Sequence, residues 1–147
     1  MSDACTNLAN NWISADGDYS TFSISDIKNL DPQQQRQFVG ELLEEDNVSL
    51  EMVKAMEEIY KMDSIRNSEI KYRWLRLCIK ARWTDKVRDA LDFVNSQGRM
   101  KFVRPIYRDL YAWEAVRNQA LQNFQNNKKY MMHILEYTVK KDLNLDI

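Results

Sequence analysis

Two cations separated by a single residue, Arg99 and Lys101, are the side chains in this sequence best placed to do chemistry. They fall within SQGRMKFVRPIYRDLYAW, residues 96–113, after Gly98 and before Arg104-Pro105. Arginine offers a planar fork of N–H donors that meets a carboxylate through two parallel bonds, and lysine adds a compact second charge. In an extended connection alternate residues point the same way. Arg99 and Lys101 would then converge on one carboxylate while Met100 and Phe102 turn inward as anchors. The same two residues also fit a plainer reading, in which they are solvated or meet the carbonyls that end the preceding helix. Spacing alone leaves both open.

Little else in the chain has reactive character. The single histidine, His133, is followed by Ile134 and Leu135 and stands outside any HExxH pair, so the usual zinc-peptidase site is missing. A lone histidine on an amphipathic helix reads as a structural or surface residue. Cys5 and Cys78 lack metal-ligand spacing, and no GxSxG nucleophile turn occurs. The chain has 3 glycines, too few to shape a phosphate-cradling loop. Glu44–Glu45 and Glu57–Glu58 read as solvated helix surface. The isolated chain is therefore expected to hold no complete catalytic site, no metal and no cofactor.

The elements that must carry Arg99 and Lys101 are helices. With 3 Gly and 2 Pro in 147 residues there are too few turn formers for an all-β chain, while a 44% apolar fraction supports a real core. Ala4, Leu8, Trp12 and Ala15 recur at helical spacing before Gly17, and SISDIKNL adds a turn or two. Asp31-Pro32 reads as an N-cap followed by proline at the first helical position, ahead of Phe38, Val39, Leu42 and Leu43. Ser49 caps a helix carrying Leu50, Val53, Met56 and Tyr60. Asn67 or Ser68 opens the most apolar one, with Ile70, Trp74, Leu77, Cys78 and Ala81 inward and Lys71, Arg73, Arg76, Lys80 and Arg82 on the other face. Thr84 is read as the cap of a helix with Val87, Ala90, Leu91 and Val94, and Gly98 as its closing C′ residue. Arg104-Pro105 is read as the next start, leading to Ile106, Leu110 and Trp113. Helices over about 114–128 and 131–142 complete the chain, the last turning Ile134, Leu135 and Val139 inward. Eight to nine short helices with brief connections predict an all-α fold. Its expected form is a right-handed α-solenoid of stacked antiparallel helix pairs, armadillo- or HEAT-like.

Charge is distributed unevenly along these helices. Residues 66–108 hold 12 Lys/Arg against 4 Asp/Glu, whereas residues 1–65 hold 4 against 13. Such a basic segment suits an anion or nucleic acid, but its cations interleave with a core pattern and no nucleic-acid module is present. Internal pairing or solvation is the favoured reading, with no nucleic-acid partner. Two distant cysteines suit a reduced compartment. The start MSDACTNLANNW has no signal-peptide pattern, and no apolar run reaches the eighteen or so residues of a membrane span. Cytoplasmic residence without membrane contact is the resulting expectation.

The blocks NSEIKYRWLRLCIKARW (67–83) and QGRMKFVRPIYRDL (97–110) together resemble the C-terminal domain of leukotriene A4 hydrolase and its aminopeptidase relatives, the aminopeptidase B type included. Weaker likeness at ANNWISADGD, IKNLD and VKAMEEIYKMDSIRNSEI extends the resemblance from about Ala4 to Leu143. It implies that residues 1–147 form one helical C-terminal domain of a larger zinc aminopeptidase or epoxide hydrolase. The N-terminal and catalytic domains would be this chain's partners, and the catalytic domain would supply the zinc and the general base. It further implies that Arg99 and Lys101, at the family's GRMK positions, line the substrate cleft and bind the carboxylate of a peptide or a fatty-acid epoxide. The alternative is a free-standing helical-repeat module that binds a protein partner and has no catalytic activity.

Overall fold

The structure is a computed structural model that describes residues 2–97, 99–131 and 133–145, with the side chains of Ser2, His133 and Ile134 excepted. Gly98 and the side chains of His133 and Ile134, all three given a place in the sequence reading, thus lie outside the described residues. Every regular element among the described residues is helical, in agreement with the all-α expectation. The chain divides into two compact units, residues 1–81 and 82–147.

The first unit holds α1 (Ser2–Ser14), α2 (Ile24–Lys28), α3 (Pro32–Leu43), α4 (Leu50–Tyr60) and α5 (Ser68–Lys80). Three of its starts are written in side-chain caps. Asp31 Oδ1 accepts from the Gln34 amide at 2.8 Å while Gln34 Oε1 accepts from the Asp31 amide at 3.0 Å, and Pro32 supplies a preset φ at the first position. Ser49 Oγ accepts from Met52 N at 3.0 Å. Asn67 Oδ1 accepts from Glu69 N and Ile70 N. Each cap satisfies donors that the first helical turn would otherwise leave unpaired.

Within this unit α3 packs against both α1 and α5, and α2 packs against α4. Helix α3 thus lies between α1 and α5. Phe38, Val39, Leu42, Val53, Met56, Trp74, Leu77 and Cys78 are buried in the core of this unit. Cys5 and Cys78 are buried thiols. Two cations of α5 reach α3. Arg73 donates to the Arg36 carbonyl at 3.3 Å and Lys80 Nζ donates to the Leu43 carbonyl at 2.6 Å. The second contact puts a cation on the carbonyl end of α3, where the helix dipole favours it. Arg73 lies over Gly40, where any Cβ would meet its Nη1.

The second unit holds α6 (Val87–Ser96), α7 (Met100–Ala112), α8 (Glu114–Asn127) and α9 (His133–Asp142). Here α7 is the hub, packed against α6, α8 and α9. Thr84 does not cap α6. It opens a 3-10 turn, Thr84–Lys86, that runs directly into the helix, so the first α6 donors are met by backbone geometry in place of a threonine hydroxyl. Against the expected start at Arg104-Pro105, α7 begins at Met100 and carries Pro105 inside it. A proline at this depth removes one backbone bond, which is why Arg104-Pro105 reads as a helix start. Phe102, Val103, Ile106, Tyr107 and Leu110 form a buried stripe that runs straight through Pro105. Packing of that stripe outweighs the local preference.

Candidate functional site

The start of α7 is where the structure collects the residues singled out above. Arg99 is the N-cap, with extended backbone (φ −101°, ψ 123°), and its carbonyl accepts from the amides of Phe102 and Val103 at 3.1 Å each. Lys101 lies within the first helical turn, so alternation along an extended strand cannot be what aligns the two cations. An aromatic ring brings them together. Arg99 Cζ lies 5.3 Å, and Lys101 Nζ 5.1 Å, from the centre of the Phe102 ring. Both distances are within the range of cation–π attraction.

Phe102 turns inward as anticipated and is 1% exposed, whereas Met100 is only half-buried. The Phe102 ring meets Phe93 of α6 edge-on, with centres 5.8 Å apart and planes at 68°. The ring is thus fixed from inside the unit while the two cations stay exposed on its outer side. The first amides of α7 add their own positive partial charge at this point. Two exposed cations, one helix start and one buried ring make a site suited to a carboxylate or a similar anion.

Further along α7 a second electrostatic element holds the helix in place. Arg104 grips Asp142 of α9 with two bonds, Nε to Oδ2 at 2.9 Å and Nη2 to Oδ1 at 3.2 Å, and Arg108 Nε reaches Oδ1 at 3.1 Å. Burial alone would raise the Asp142 carboxyl, but the guanidiniums of Arg104 and Arg108 outweigh it and hold the group below its ordinary value. The same contact raises Arg104. Neither contact was legible in the sequence, since Asp142 lies 38 residues from Arg104. On the other flank Tyr107 accepts from Asn123 at 2.9 Å, and burial pushes its phenol up to about 12.

Other cations of the basic segment have intramolecular partners. Arg82 lies over Trp113 and Lys86 over Trp83, Arg76 lies over Tyr72, and Arg88 pairs with Asp92 at 3.1 Å. Together with Arg73 and Lys80 of α5, which donate to α3 carbonyls, these contacts account for much of the charge that composition alone had offered to an anionic polymer.

The first unit contains a different polar assembly. Trp12 Nε1 donates to Tyr60 Oη at 3.0 Å, Tyr60 donates to Asp26 Oδ2 at 2.8 Å, and Asp26 also accepts from the Ser23 amide. Trp12 stacks on Phe22 with centres 4.0 Å apart. A cavity of about 490 Å³ lies beside Asn11, Asp18, Phe22 and Asp26, and one of about 360 Å³ beside Ile13, Tyr19, Glu45 and Glu51. Trp12 and Tyr60 are both buried, and the hydrogen-bonded chain through them joins residues too far apart for sequence periodicity to show.

Among the described residues no group of three or more His, Cys, Asp and Glu side chains is placed to hold a metal ion. No helix among them is long and apolar enough to cross a membrane.

Comparison with known proteins places this architecture. Residues 30–143 match the family model described as leukotriene A4 hydrolase, C-terminal. A Xenopus laevis protein named leukotriene A-4 hydrolase is 41% identical over 146 residues, which are 99% of this chain and 24% of that protein. A Yarrowia lipolytica protein named leucine aminopeptidase 2 is 32% identical over 97% of this chain and 23% of its own length. The solved structure of yeast leukotriene A4 hydrolase with bestatin superposes with a TM-score of 0.90 at 26% identity, covering 98% of this chain and 26% of that one. The chain thus spans about a quarter of the length of these relatives.

Proposed function

This chain belongs to the leukotriene A4 hydrolase C-terminal family, and from that membership we propose that it is the substrate-anchoring domain of a larger zinc aminopeptidase of the hydrolase type. In this reading residues 1–147 are one C-terminal domain, and its partners are the catalytic and N-terminal domains of the parent enzyme. The parent works in the cytoplasm. The chain's own contribution is to line the substrate cleft and hold the carboxylate of a peptide or of a fatty-acid epoxide through Arg99 and Lys101.

The observation that carries the proposal is the gathering of both cations on the Phe102 ring at the start of α7. A carboxylate arriving there meets the in-plane N–H fork of Arg99, the Lys101 ammonium and the partial charge of the helix start. Fixing the far end of a substrate positions its scissile bond without any chemistry at the fixing residues. Such a charge-assisted contact is worth about 1.5–3 kcal/mol, or roughly one to two decades in catalytic efficiency. In this reading the zinc and the general base belong to the catalytic domain of the parent enzyme, as membership of the family implies.

Complementation tests this. The Xenopus relative, cut before the quarter that matches this chain, is mixed with the wild-type chain or its Arg99→Ala variant and assayed on an arginyl tripeptide. The proposal predicts that the wild-type chain restores hydrolysis and that Arg99→Ala restores about one to two decades less. Equal restoration by both would leave Arg99 a surface residue and remove the anchoring role. A chain that binds neither the truncated relative nor substrate would be a free-standing helical module.

A further inference from the structure

We propose that Phe102 is a positioning residue for carboxylate recognition: its buried ring gathers Arg99 and Lys101 and sets the distance at which they meet the substrate. The inference rests on the anchoring role proposed above and adds to it the element that makes two flexible cations act as one site.

Two like charges on long side chains repel each other and spread into solvent unless something holds them. Here both lie within 5.3 Å of one ring centre, one from the residue three before Phe102 and one from the residue just before it. The negative face of an aromatic ring attracts each cation and offsets part of their mutual repulsion. The ring itself has no freedom to follow them. It is 1% exposed and wedged edge-on against Phe93, itself buried in α6. The Arg99 guanidinium carries five N–H donors, more than one carboxylate fork uses. The ring therefore removes conformational freedom from the cations before substrate arrives, and less has to be lost on binding.

A leucine at this position would keep the apolar burial but lose the ring, which separates gathering from packing. Immobilising a flexible side chain on binding weakens affinity several-fold for each chain, so Phe102→Leu is expected to raise KM by about tenfold for a tripeptide with a free C-terminal carboxylate. KM for the C-terminal amide of the same tripeptide should stay within twofold, and kcat should change little for both. Phe102→Tyr retains the ring and should restore the carboxylate KM. These assays use the chain in complex with the truncated relative.

A second readout needs no activity. In the 147-residue chain the δ-methylene protons of Arg99 and the ε-methylene protons of Lys101 should be shifted upfield by the ring, and Phe102→Leu should abolish both shifts. If Arg99→Ala raises the carboxylate KM but Phe102→Leu does not, the anchoring role stands and the positioning role falls. If Phe102→Leu raises both KM values equally, the ring serves packing alone and the proposal is overturned. Should the leucine variant fail to fold, absence of the shifts in the wild-type chain would overturn it equally well.

Discussion

Replacing Asp142 with asparagine should release α9 from α7, and the structure allows the size of that effect to be worked out. The Asp142 side chain is 9% exposed and receives three guanidinium bonds, two from Arg104 and one from Arg108. Asparagine keeps the shape and one acceptor oxygen but removes the charge. Removing one member of a fully buried pair costs about 3–5 kcal/mol because the other charge is stranded. Here the stranded groups are 32% and 51% exposed, so water can take over much of their solvation. A loss nearer 2 kcal/mol follows, within the range for hydrogen bonds to charged groups. For a chain of this size that lowers Tm by about 4–8 °C.

The pH dependence of this variant has a definite sign. Asp142 titrates lower in the folded chain than in the unfolded one, so the unfolded state binds more protons as acid is added. The carboxylate's contribution is therefore complete above its unfolded value near 3.9, and it is lost as pH falls through the lower folded value. Thermal melts followed by circular dichroism at pH 7 and again near pH 2.5 measure both parts. The gap between wild type and Asp142→Asn should be open at pH 7 and narrow in acid. Equal Tm values at pH 7, or a gap that acid leaves unchanged, would refute the docking argument.

Other consequences follow from the same contacts. Asp31→Ala removes the acceptor from the Gln34 amide at the start of α3 and should lower stability by about 1 kcal/mol, read as a Tm drop of about 2–4 °C. Tyr60 and Tyr107 should ionise after the exposed tyrosines in an ultraviolet alkaline titration. Burial raises both, and the Asp26 carboxylate adds to the effect at Tyr60 against the opposing Trp12 indole. Since both phenols are raised on folding, their stabilising contribution is full below pH 10 and declines as pH climbs through about 12 at Tyr107; a titration in which all seven tyrosines ionise together would show that neither is enclosed. Tyr60→Phe leaves the Trp12 indole without its acceptor and should cost about 1–3 kcal/mol in a urea melt.

What the sequence made legible was the local part of the fold. Asp31-Pro32, Ser49 and Asn67 mark helix starts because a cap is a contact between residues two or three apart, and the structure keeps all three. The inward stripe of α5 followed from periodicity alone. Pro105 misled because its backbone preference is local while the buried stripe that overrides it is tertiary. Thr84 misled for a related reason: a 3-10 turn can deliver the chain into a helix without any side-chain cap. At the site, the residue types of Arg99 and Lys101 pointed to anion binding, and Phe102 was correctly turned inward. The route to convergence was different. Extended alternation was expected, and a shared aromatic ring is found instead. The clasp on Asp142 and the Trp12–Tyr60–Asp26 chain join residues more than thirty positions apart, a separation no periodicity encodes.

The anchoring role stands or falls most directly on substrate discrimination. The measurement compares kcat/KM for an arginyl tripeptide and for its C-terminal amide, using the complex formed with wild-type chain and with Arg99→Ala. If Arg99 anchors the substrate, the wild-type complex prefers the free carboxylate by about one to two decades, and Arg99→Ala abolishes the preference while leaving the amide nearly unaffected. A wild-type complex that hydrolyses both peptides equally, or a preference that survives Arg99→Ala, would contradict it.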